Sequence, residues 1–166
     1  YIPLRKKDLQ PERDSIRKAM AASQGQVHLL RYSDGSGKDA YKRTVQFVLF
    51  LALRQLYPGV TAKMNCTVGQ GLYIQVLSDS FDAALLKNKV AELIAEDIPL
   101  IRKRITTEQA IDYFRQDGQE DKARLLSYRK VPWFDIYTHG DFADYYYGEM
   151  MPSTGYITVW LSLIHI

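Results

Sequence analysis

Three histidines, His28, His139 and His165, and one cysteine, Cys66, carry the strongest candidates for metal or nucleophilic chemistry in this 166-residue chain. Their spacing does not bring them together. A zinc site on a helix needs two imidazoles on one face, and no HExxH or HxxxH pair is present. One cysteine excludes an internal disulfide and a cysteine zinc cage. Gly35-Ser36-Gly37-Lys38 has part of a phosphate loop, in which backbone donors and a helix dipole meet phosphate. The first glycine of that loop would fall at Tyr32, and Asp39 stands where the magnesium-binding hydroxyl should follow Lys38, so these residues read as a turn opening a helix. Ser33-Asp34, His139-Gly140-Asp141 and Ser153-Thr154 contain catalytic residue types, but no nucleophile elbow or other ordered signature links them. Tyr145-Tyr146-Tyr147, with Phe142 and Tyr156 nearby, offers rings on which bases can stack. Strand side chains alternate faces, so at most two of the three tyrosines share a surface. No basic residue lies between 131 and 166, which favours strand packing over stacking. Residue types and spacing therefore assign no catalytic group and no metal ligand.

The elements that would position these residues follow from periodicity and turn chemistry. Val27 to Leu30 reads as a short strand, and Ser33 to Gly37 as a turn. Tyr41, Val45, Val48, Leu49, Ala52 and Leu56 recur at helical spacing, and Phe47, Phe50, Leu51 and Leu53 fill much of the opposite face until Pro58-Gly59. A helix apolar nearly all round is expected to be a buried central helix over 38 to 57. Thr61 to Thr67 and Leu72 to Leu77 read as a hairpin through Gly69-Gln70-Gly71. Ala83, Leu86, Val90, Leu93 and Ile94 mark a second helix, Pro99 to Ile105 a strand, and Thr106 or Thr107 the start of a third helix that Gly118 breaks before a fourth over Glu120 to Tyr128. Trp133 to Tyr137 and Gly155 to Leu161 read as strands with the aromatic segment 142 to 147 between them. Strands and helices do not alternate regularly, so the expected class is α+β, a mainly antiparallel sheet packed on the long buried helix.

Composition sets wider limits. With 46% apolar and 25% charged residues the chain has enough material for one ordinary domain or a domain and a fragment. The net charge of +3, from 22 basic and 19 acidic residues, permits RNA binding without indicating it. No signal-like or membrane-spanning stretch is seen, so no membrane partner and a cytoplasmic location are expected. Three regions are expected: 1–26 as the remnant of an upstream unit or linker, 27–161 as the main domain, and 162–166, similar to a translated sequencing adapter, as a non-native tail.

The helix from Asp39 to Pro58, the hairpin containing Gly69-Gln70-Gly71-Leu72-Tyr73, the stretch Asp97-Ile98-Pro99-Leu100 and the segment from Asp144 to Ile157 together resemble the editing domain of threonyl- and alanyl-tRNA synthetases. The resemblance implies that fold, and in that family an HxxxH pair on the long helix and a CxxxH pair on a later loop gather around a metal or a catalytic water. Matching Leu51 to Pro58, then Asp144, Gly148, Thr154 and Gly155, places the four site positions at Arg43, Phe47, Tyr146 and Met150. None of these groups is a usual metal ligand, so the resemblance implies no catalytic residue and no metal here, with the four positions left as candidates for a ligand-binding pocket. The variant with Asp144-Tyr145-Tyr146-Tyr147-Gly148 followed by Pro152-Ser153-Thr154-Gly155-Tyr156-Ile157 is similar to the accessory region of bacterial nucleoside kinases of the uridine kinase type, in which a TGS domain precedes the synthetase-like one. That resemblance implies a non-catalytic regulatory domain whose partners are its own C-terminal kinase domain and that enzyme's nucleoside substrate. ATP and magnesium would belong to the kinase domain and no cofactor to this chain. The alternative is an RNA-binding module retained from a threonyl-tRNA synthetase-like editing domain.

Overall fold

A computed structural model describes residues 31–68, 71–77 and 80–160. The strand expected at 27–30, the units 1–26 and 162–166, and His28 and His165 lie outside the described residues. Helix α1 (Gly35–Leu56) starts where the backbone folds back on itself: the Asp34 carboxylate accepts from the Arg31 amide at 2.7 Å, and the Lys38 amide reaches the Asp34 carbonyl at 3.0 Å. Gly37 is required by this close approach, since a Cβ there would sit 2.0 Å from the Arg31 carbonyl oxygen. The glycines and Lys38 are thus the opening turn of a helix. Pro58 and Gly59, at φ +86°, end it.

Helix α1 buries Gly37, Ala40, Tyr41, Thr44, Phe47, Val48, Leu51, Ala52 and Leu53, whereas Leu49, Phe50, Lys42 and Gln46 are only partly covered. Helix α2 (Ala83–Ala95), strand β5 (Phe142–Tyr145) and a 3-10 turn at Thr154–Tyr156 pack against it. Asp82 caps α2 by accepting from the amides of Ala84 at 2.8 Å and Leu85 at 3.1 Å, and Leu86, Val90 and Leu93 pack onto α1.

Between these helices, β1 (Thr61–Val68) and β2 (Gly71–Leu77) form the antiparallel hairpin, with an irregularity between Met64 and Cys66. β2 alternates exposed Tyr73, Gln75 and Leu77 with half-buried Leu72, Ile74 and Val76. The second sheet has the order β3-β4-β5, with β3 (Ile101–Thr106) and β4 (Trp133–His139) paired antiparallel and β4 turning into β5 through Gly140 at φ +55°. The mixed, antiparallel character is as expected. Among the described residues the hairpin pairs within itself, apart from the three-stranded sheet. Pro99 and Leu100 precede β3 rather than belonging to it, with Pro99 in an isolated bridge to Ser153.

Helices α3 (Thr107–Gln116) and α4 (Glu120–Ser127) cross over from β3 to β4. A capping box opens α3: the Gln109 amide donates to Thr106 Oγ1 at 3.2 Å and the Thr106 amide to Gln109 Oε1 at 3.0 Å. Gly118, at φ +74°, separates the two helices. Ala110, Phe114, Ala123, Leu126 and Phe134 make a satellite core beneath them. Residues 155–160 form no strand, contrary to expectation, and Leu161 lies outside the described residues. Their backbone is engaged elsewhere: the amides of Thr158 and Val159 donate to the Tyr41 hydroxyl, which itself donates to the Val159 carbonyl at 2.7 Å. The ladder position goes instead to Phe142–Tyr145. Among the described residues no helix is long and apolar enough to cross a membrane.

Candidate functional site

Arg43 and Phe47 stand four residues apart on α1 and so share a face. The loop after β5 carries Tyr146 and Met150. The fold brings these four positions against one another. Phe47 is fully buried, its ring 6.2 Å edge-on from Tyr146 and 5.2 Å from Phe142, and Tyr146 lies 6.4 Å from Tyr137. Phe47, Tyr146 and Met150 belong to one core cluster with Val48, Leu51 and Ile157. Arg43 differs. Half-buried, it lies against the backbone of Gly148 and donates from Nη1 to the Glu149 carbonyl at 3.1 Å. Gly148 has φ +117°, and a Cβ there would come within 2.9 Å of Nη1, so glycine serves both the turn and the guanidinium.

The loop is fixed from several sides. Thr44 Oγ1 donates to the Ala40 carbonyl and accepts from the Met151 amide, both at 2.9 Å. The Tyr137 hydroxyl accepts from the Met150 amide at 3.1 Å. Thr154 Oγ1, fully buried, donates to the Leu93 carbonyl at 2.6 Å and accepts from the Ile98 amide at 2.9 Å. The Asp97 carboxylate accepts from the Gly155 amide at 3.1 Å and from the Ser153 hydroxyl. Buried Asp144 is paired with Lys122 Nζ at 2.7 Å. The residues that carried the sequence resemblance at Asp144, Gly148, Thr154 and Gly155 therefore each hold the loop in place. They supply a frame, while the four positions inside it hold apolar bulk and one cation.

The Tyr146 hydroxyl is buried without a hydrogen-bond partner among the described residues, and burial, followed by the nearby Asp144 charge, pushes its pKa well above 10. It keeps its proton at any physiological pH. Among the described residues no group of three or more His, Cys, Asp or Glu side chains gathers where it could hold a metal ion. His139 sits half-buried at the end of β4, beside the Gly140 turn.

Two further features stand out in the structure. Arg102 and Arg104 of β3, both exposed, pair with Asp135 of β4, and Arg102 also reaches the Glu149 carboxylate. Arg104 and then Arg102 hold Asp135 down to about 2. The second is an open cleft of about 460 Å³ near the end of β5, with Arg129, Trp133, Tyr145 and Tyr147 in its wall. Arg129-Lys130-Val131-Pro132-Trp133 is the only hint of it in the sequence, a basic pair close to an exposed indole.

No family model matches the chain. Its similarity is to threonine–tRNA ligases: 30% identity over 136 residues with that of Parabacteroides distasonis, 32% over 136 with that of Clostridium kluyveri, and 28% over 137 with that of Azobacteroides pseudotrichonymphae. These matches cover 79%, 78% and 79% of the chain but only 21% of each ligase. The chain spans about a fifth of the length of the curated relatives it matches. A synthetase-like domain is what these similarities support, and the kinase parent expected from residues 144–157 gains no support from them.

Proposed function

We propose that the chain is an RNA-binding module derived from a threonyl-tRNA synthetase-like editing domain, retaining the tRNA-facing scaffold without the hydrolytic chemistry. One observation carries this reading: similarity to threonine–tRNA ligases runs through 79% of the chain, while the positions aligned with the editing site hold Arg43, Phe47, Tyr146 and Met150. Phe, Tyr and Met fill space as core residues, and Arg43 serves the loop backbone. In this reading the four residues bind no ligand of their own, and the partner is tRNA or a related RNA. The test is a salt titration of tRNA affinity with the purified chain. Neutralising three phosphates would lower affinity roughly 40-fold between about 50 and 200 mM salt. Absence of binding at about 50 mM salt removes the reading.

The accessory region of a nucleoside kinase is the second reading, favoured by the Asp144 to Ile157 pattern alone. Its ATP, magnesium and nucleoside would be handled by another domain, with this one regulating it from the same cytoplasmic polypeptide. A phosphate loop in the reading frame beyond residue 166 would favour it over the first.

A further inference from the structure

The cleft between the start of β4 and the end of β5 is separate from the four aligned site positions in all but Tyr146, and it combines two features not found together elsewhere among the described residues. Trp133 is 53% exposed and Tyr147 52%, although large rings of this kind normally bury most of their surface. Each carries a guanidinium: Arg129 lies 4.5 Å from the Tyr147 ring centre and Arg104 5.5 Å from that of Trp133. Tyr145 also lies edge-on to Tyr147, with ring centres 5.5 Å apart, so what is left for a second flat group is the exposed half of the Tyr147 and Trp133 rings.

The volume of about 460 Å³ falls in the range of small-molecule sites, ~300–1,000 Å³. Asp135 also lies in the wall, but two arginines neutralise it, so the cleft is not closed to an anion. Arg129 and Lys130 adjoin the mouth on the chain leaving α4, both exposed. Exposed π surface beside Arg129, for which no ion pair is seen among the described residues, matches a flat aromatic group that carries a phosphate. An apolar peptide would use the rings but not the Arg129 charge.

We propose that this cleft seats an unpaired nucleotide of a single-stranded RNA segment, with its base against Trp133 and Tyr147 and its phosphate beside Arg129. The proposal rests on the RNA-binding reading above and adds a location and a strand type to it. Paired RNA keeps its bases stacked and cannot offer one to a side chain, so a duplex should bind less well.

The test uses a dye-labelled, mixed-sequence single strand of about ten nucleotides, within the span such sites take up, at about 50 mM salt. Anisotropy would be followed with the unaltered chain and with Trp133→Ala and Tyr147→Ala. Each alanine variant is expected to lose roughly 5- to 150-fold in affinity. Trp133→Phe and Tyr147→Phe keep a ring and should bind within about threefold of the unaltered chain, which separates loss of stacking from loss of fold. If both alanine variants bind as tightly as the unaltered chain, the cleft is not the site although the RNA-binding reading stands. If the chain binds tRNA but not the single strand, the cleft proposal again fails alone. If it binds neither, both fail.

Discussion

At Tyr146 a phenol hydroxyl is enclosed with no partner among the described residues, while its ring packs edge-on against Phe47. A buried donor left unmade costs about 1–3 kcal/mol, and the ring itself supplies the packing. Tyr146→Phe is therefore expected to leave stability unchanged or raise it by about 1 kcal/mol, a gain of roughly 2–4 °C in melting temperature for a chain of this size. A loss of several degrees would show that the hydroxyl is satisfied and that the pocket is more polar than it looks. Arg43 behaves in the opposite sense. Its guanidinium is committed to the Glu149 carbonyl and the Gly148 backbone, so it is a fastener for the loop. Residue identity alone could show that these groups do not resemble metal ligands. The orphan hydroxyl and the arginine's attachment to the loop depend on three-dimensional neighbours and had no signal in the sequence.

Between elements, the link between β3 and β4 is electrostatic as well as hydrogen-bonded, since Arg104 stands opposite Asp135 in the register and Arg102 reaches the same carboxylate. Asp135 has a folded-state pKa of about 2, below its unfolded value of about 3.9. Its contribution to stability is fully present above about pH 4 and is lost as pH falls towards 2. Asp135→Asn should thus melt below the unaltered chain at pH 6, and the gap should close near pH 2. A gap that persists there would mean that Asp135 contributes through shape and not through charge. The elements legible in the sequence were those set by local rules: α1 from its apolar spacing and the Pro58-Gly59 stop, α2 from Leu86, Val90 and Leu93, the hairpin from its glycine-flanked turn, and α3 from a start at Thr106 or Thr107, between which the structure chooses Thr106 as the cap. The strand expected at 155–161 failed for a non-local reason. Tyr156, Ile157, Thr158 and Val159 have strand propensity, but the Tyr41 hydroxyl, more than a hundred residues away in sequence, takes the backbone bonds a ladder would need.

For the molecule as a whole, two cores meet at β4 and β5. The larger lies between α1, α2 and the loop through Met150 to Ile157, and the smaller lies under α3 and α4, with Tyr145 at its edge. The alignment that placed Phe47, Tyr146 and Met150 in one neighbourhood agrees with their shared cluster, whereas the cleft at Trp133 depends on how α4 hands the chain to β4 and was invisible to it. With a net charge of only +3, attraction to RNA would rest on local basic groups such as Arg129 and Lys130. The chain is similar to threonine–tRNA ligases over most of its length, and its loop is pinned by Thr44, Tyr137, Asp97 and Thr154. The proposed reading places the difference from an editing domain in four side chains, Arg43, Phe47, Tyr146 and Met150. The most direct measurement is hydrolysis of mischarged tRNA(Thr) by the purified chain with zinc supplied. The account predicts ester loss at the rate of buffer alone. Zinc-dependent turnover abolished by substitution at Arg43, Phe47, Tyr146 or Met150 would contradict it.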